Sequence, residues 1–156
     1  MKRVLFMMIS VLSLAIGKLD MNMPVPLEES LQVTAKEMNK ALPAMVDAEI
    51  RHDKVEIHGL NLILKFTLVN FTKDIMDAQK LNDIMEYDIR RQVCADVDSQ
   101  RMLKQGMKMI YDYSDKNKKH ITKFVYDAKV CNLFTNIDQI KQTLMNIYTT
   151  EELTRL

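Results

Sequence analysis

Two cysteines, Cys94 and Cys131, are the only ones in the chain, and both lie downstream of an N-terminal segment built like an export leader. Lys2 and Arg3 give that segment a positive start, Val4–Ile16 is uncharged, and Ala15 and Gly17 put small side chains three and one residues ahead of a cut before Lys18. The uncharged stretch is shorter than the roughly 20 residues a helix needs to span a bilayer. The expectation is therefore a signal peptide over 1–17; left uncleaved, the same segment would hold the protein at a membrane. An exported chain meets an oxidising compartment, where an even pair of thiols closes. A Cys94–Cys131 disulfide requires the two Cα atoms to come within about 7 Å. It would restrict the unfolded chain by about 3 to 4 kcal/mol in the chain-entropy account. The competing reading makes one cysteine a catalytic thiol whose histidine partner is supplied only by the fold.

The whole chain, at 156 residues and 47% apolar, is long enough for a single core without a metal. There is no internal repeat, Gly/Ser tract or charged tail, and with three glycines and three prolines nothing reads as a linker. Without Lys2 and Arg3, the 22 basic and 21 acidic side chains become 20 and 21, a net charge near −1. Nucleic-acid binding draws on neutralising phosphates and needs a basic excess, so that class is set aside. One basic cluster, Lys116, Lys118, Lys119 and His120, falls at a predicted hairpin tip. It is a solvated turn or a contact point for an anionic lipid or partner.

Residues 18–26 carry Pro24 and Pro26 and read as an extended lead-in. A helix is expected from about Leu27 to Leu42, with Glu28 and Glu29 at its positive end, Leu31, Ala35, Met38 and Leu42 on one stripe, and Pro43 as its stop. Val55 and Ile57 then alternate with Lys54, Glu56 and His58. Ala48 and Ile50 sit on the opposite parity, which asks for a bulge near His52–Lys54. After a turn at His58–Leu60, Leu62, Leu64, Phe66 and Leu68 mark the clearest strand. Helical spacing returns with Thr72 as the expected N-cap and Ile75, Ala78, Leu81, Met85, Ile89 and Val93 as the stripe. A second short helix would be capped by Asp98 and stopped by Gly106. Met107, Met109, Tyr111 and Tyr113 predict a third strand, and Thr122, Phe124, Tyr126 and Ala128 a fourth.

The expected fold is α+β: a four-stranded antiparallel sheet with helices on one face, in the order α-β-β-α-α-β-β, forming one domain over 27–134. A C-terminal amphipathic helix over 135–156 follows, with Ile137, Ile140, Leu144, Ile147 and Tyr148 on its stripe and Lys141, Gln142 and Asn146 opposite. Such a stripe packs on its own domain or is offered to a partner. Ile140, Leu144, Ile147 and Tyr148 are the candidate partner contacts.

No catalytic constellation stands out. Ser30, Ser99 and Ser114 lack the glycine-flanked elbow of hydrolases, and three glycines cannot supply a phosphate loop or dinucleotide fingerprint. His52 and His58 would share a solvated strand face with Lys54 and Glu56, but six extended residues hold them roughly 20 Å apart, too far for one metal ion. The methionines mostly fill apolar positions; only Met21 and Met23 stand as a pair in the lead-in. No metal, cofactor or catalytic residue is assigned.

Several stretches are similar to a family of small exported bacterial proteins of unassigned function: LPAMVDAEIRHDKV from Leu42 to Val55, FTLVN from Phe66 to Asn70, Cys94, Gly106 with Tyr111 and Tyr113, and Cys131. At the level of element order and disulfide that family also resembles the small pilotins of type II secretion, which bind a secretin segment and help place it in the outer membrane. The lipid-bearing cysteine typical of pilotins is absent behind this leader.

The function expected is that of an exported, periplasmic or secreted, non-enzymatic protein that binds an unknown protein partner in the cell envelope or assists an assembly there. Two alternatives stay open: a small periplasmic hydrolase or thiol enzyme, and a secretion-system component anchored by an uncleaved N-terminal segment.

Overall fold

The computed structural model describes residues 26–133. The leader, most of the lead-in and the C-terminal amphipathic segment lie outside them. Helix α1 (Leu27–Asn39) is followed by β1 (Ala44–Met45), β2 (Ile50–His58) and β3 (Asn61–Leu68). Two helices, α2 (Ala78–Ala95) and α3 (Val97–Lys104), lead to β4 (Lys108–Ser114) and β5 (His120–Tyr126). Residues 128–133 are helical again. The α+β class and the two hairpins are as the alternation of apolar residues implies.

The sheet corrects the sequence reading in two ways. Among the described residues it has five strands in the order β1-β2-β3-β4-β5, and the central β3–β4 pair is parallel. The extra strand is the two-residue β1, pairing Ala44 with His52 and Met45 with Arg51 just after a cis Leu42–Pro43 bond. Two residues carry no periodicity, so nothing in their types announces a strand. The parallel pair follows from lengths. An 18-residue α2 is about 27 Å long, and eight residues of β3 extend about 26 Å. One pass of α2 thus returns the chain to the end where β3 began, and Lys108 N–H donates to Leu60 O at 3.0 Å to start β4 beside it. A crossover connection of this size is what a parallel pair requires.

Cap positions also move. Asp77, not Thr72, caps α2, its side chain accepting from Lys80 N–H at 3.0 Å. Thr72 O instead closes a turn by accepting from the N–H groups of Ile75 and Met76. Asp96, not Asp98, caps α3 through Ser99 N–H at 2.7 Å. Helix α1 ends at Asn39, short of Leu42. Ala128 belongs to the final helical turns rather than to a strand, because Asp127 caps them by accepting from Val130 N–H at 2.9 Å.

One face of the sheet and the facing sides of the helices form a continuous core. Ile50, Val55, Leu62, Leu64, Phe66, Leu68, Met109, Tyr113, Phe124 and Tyr126 are buried together with Leu31 and Ala35 of α1 and Leu81, Met85, Ile89 and Val93 of α2. The bulge is where parity demanded it, with the β2–β3 register shifting between His52 and Lys54. The turn from β2 to β3 has two central residues, and Gly59 takes φ +58 at the first of them, the conformation a two-residue hairpin needs. Gly106 stops α3 at φ +98, and a Cβ there would lie 3.4 Å from Leu60 Cδ1.

Candidate functional site

The disulfide forms a node where three helical segments meet. Cys94 lies at the end of α2 and Cys131 in residues 128–133, both are buried, and their Cα atoms are 5.1 Å apart. Gln100 of α3 donates its side-chain amide to Cys94 O, so the third segment is tied to the same point. With both cysteines bridged, neither carries a thiol, and the thiol-enzyme reading has no nucleophile in this state. The candidate contacts Ile140, Leu144, Ile147 and Tyr148 follow Cys131 in sequence and lie outside the described residues. On the described part, Ile84 and Tyr87 of α2 are 50% and 48% exposed and Val97 of α3 is 69% exposed, while Leu81, Met85, Ile89 and Val93 of α2 are buried.

A second cluster lies in the core. Because the bulge reverses parity, His52 shares the inner face with Ile50 and Val55 and does not join Lys54 and Glu56 on the solvated face as the sequence suggested. Its side chain is 5% exposed and stacks on Phe66 with ring centroids 4.6 Å apart, and Phe66 stacks in turn on Tyr113 at 5.0 Å. Among the described residues, His52 Nε2 has no hydrogen-bond partner. Burial pushes the imidazole down to about 4, against smaller raising effects from the backbone at Lys54 and the charge of Asp53. It is therefore neutral at pH 7. Burial likewise raises the phenols of Tyr111, Tyr113 and Tyr126, so this row is uncharged throughout.

The opposite face is an ion-paired ladder. Asp53 accepts from Arg51 and Thr67, Glu56 is paired with Lys65 at 3.1 Å and Lys54 at 3.2 Å, and His120 meets Asp112 at 3.0 Å. The hydrogen bond from Lys65 holds the Glu56 carboxyl below its usual range, outweighing its partial burial. These charges satisfy one another. Among the described residues no group of three or more His, Cys, Asp or Glu converges in the way a metal site needs.

The third feature is the hairpin tip, and its organiser escaped sequence reading. Asp115 is 1% exposed, and its carboxylate accepts from the backbone N–H groups of Lys73, Asn117 and Lys119 at 3.0, 2.8 and 2.8 Å. Burial pushes the carboxyl up, but those donors outweigh it and leave it below the ordinary range. Lys118 adopts φ +62 within the loop Asp115 closes. An Asp at the start of a polar hairpin loop signals a local turn; that it also reaches across to residue 73 is set only by the fold.

Residues 21–132 match the family described as "Putative quorum-sensing-regulated virulence factor". Among solved structures, a "putative secreted protein" from Pseudomonas aeruginosa is similar at 20% identity and a TM-score of 0.58, over 67% of this chain and 92% of that one. The pilotin EpsS of the Vibrio vulnificus type 2 secretion system is similar at 13% identity and a TM-score of 0.55, over 67% and 91% of the two chains. At these identities the likeness is one of fold. No curated protein sequence matches the chain.

Proposed function

The chain belongs to the family of putative quorum-sensing-regulated virulence factors, and from that premise we propose that it is an exported accessory protein that binds another protein of the cell envelope. The carrying observation is the fold it shares with the "putative secreted protein" and with a secretion-system pilotin, together with a buried disulfide suited to an oxidising compartment. A scaffold stapled at the meeting point of its helices presents a rigid surface, which lowers the ordering cost of binding. The proposed contact surface is the helical side around that staple. It comprises Ile84 and Val97, and Ile140, Leu144, Ile147 and Tyr148, outside the described residues, are proposed as further contacts from the segment that follows Cys131 in sequence. Binding through apolar anchors at helical spacing suits a partner helix or a groove.

The test is photocrosslinking in growing cells from a reactive side chain placed at Ile84, Val97 or Leu144 in turn. A discrete adduct of one mass in the envelope fraction, from at least one position, is the expected result. Absence of adducts from all three, with the protein recovered as a monomer, would overturn the reading.

A further inference from the structure

Two loops far apart in sequence are stitched into one cationic tip. Besides the bond from Lys73 N–H to the Asp115 carboxylate, Lys116 N–H donates to Phe71 O at 2.9 Å. The β3–α2 loop and the β4–β5 loop therefore share one surface, with Lys73, Lys116, Lys118 and Lys119 exposed on it. Among the described residues none of these four ammonium groups is in an ion pair, whereas the neighbouring Lys80 meets Asp77 at 3.8 Å and His120 is held by Asp112. Against the four lysines stand Asp74 and Asp115, so the tip concentrates a charge of about +2 by formal count, while the whole chain carries +1. Beside Lys73 lies Ile75, 60% exposed, with its carbonyl oxygen accepting from Lys80 Nζ.

We propose that this tip docks on an anionic phospholipid bilayer, the lysines meeting headgroup phosphates and Ile75 entering the interface. The chemistry is that of peripheral membrane contact, in which basic side chains gather at a negatively charged surface and an apolar side chain adds burial. The two loops leave the same end of the parallel β3–β4 pair, so they can meet a flat surface together. An acidic protein would be served by the charges alone and gives no role to an exposed isoleucine. Asp115 holds both loops in one arrangement, so the surface exists before the membrane is met.

The chain contains no tryptophan, so Ile75→Trp introduces a single local fluorophore whose signal is independent of any other membrane contact the chain makes. The full protein, as recovered from the cell envelope, is titrated with phosphatidylglycerol-containing vesicles and with pure phosphatidylcholine vesicles. Expected are a blue shift on the anionic vesicles only and its suppression by high salt. An at least tenfold or so loss of apparent affinity is expected when Lys73, Lys116 and Lys118 are all changed to Gln. Denaturation midpoints of the lysine variants matching the parent establish that the loss is one of binding. No shift on anionic vesicles, or an equal shift on neutral ones, overturns the proposal. So does a shift produced by soluble polyglutamate but not by vesicles, which would assign the tip to an acidic protein.

Discussion

The side-chain amide of Asn39 holds both backbone groups of Val55, accepting from its N–H at 2.9 Å and donating to its carbonyl at 2.8 Å. Strand β1 reaches no further along β2 than His52, so among the described residues no strand lies beside that edge beyond the bulge. Asn39, the last residue of α1, supplies one rung in its place and blocks the edge to other chains. Asn39→Ala is expected to cost about 1 to 3 kcal/mol, two net hydrogen bonds, measured as a lower midpoint in urea. Asn39→Asp, which keeps the acceptor but sets a second carboxylate oxygen against the Val55 carbonyl, should cost at least as much as Asn39→Ala.

His52 makes stability depend on pH. Its folded value is depressed to about 4 from 6.5, so the unfolded chain takes up the proton first as pH falls. Stability is full above about pH 6.5 and lost progressively down to about 4, by about 3 kcal/mol in total. His52→Phe, which can still stack on Phe66, should flatten denaturation midpoints between pH 7.5 and 5. An equal slope in parent and variant would refute the assignment.

Reducing the Cys94–Cys131 bond, or replacing both cysteines with alanine, should lower stability by about 3 to 4 kcal/mol through the freed loop of the unfolded chain. Denaturant titration with and without reductant reads this out. Intact mass of protein from the envelope checks bridge and leader together.

Asp115→Ala should leave the global midpoint less affected than the tip itself. The amides of Lys73, Asn117 and Lys119, which donate to that carboxylate, are expected to lose hydrogen-exchange protection. Those of β2, in the far hairpin, should keep it.

Much of this architecture could be read from residue order. Leu62, Leu64, Phe66 and Leu68 are all buried as their alternation implied, and the reversal of parity between Ile50 and Val55 located the bulge. What the alternation could not show was direction. Whether β4 runs with or against β3 depends on how far α2 carries the chain, a matter of length and docking rather than of pattern. His52 lies on the inner face because the bulge that parity locates also reverses the face of the residues before it, an effect that its polar neighbours Lys54 and Glu56 mask. Caps at Asp77 and Asp96 lost to Thr72 and Asp98 in the sequence reading because closely spaced Asp and Thr residues offer similar signals. Asp115 and Ile75 acquire their roles through a bond between segments 42 residues apart, which no local window contains.

The parallel seam between Asn61–Thr67 and Lys108–Ser114 also sets an order of events for the nascent polypeptide. The ribosome delivers the N-terminal hairpin first, and for the time it takes to make some forty more residues β3 waits with one side bare. That side belongs to a proline-free strand rich in leucine, the sort of surface on which unfinished chains associate. A holdase, or rapid formation of the α2 connection, would then decide yield long before the bridge could close.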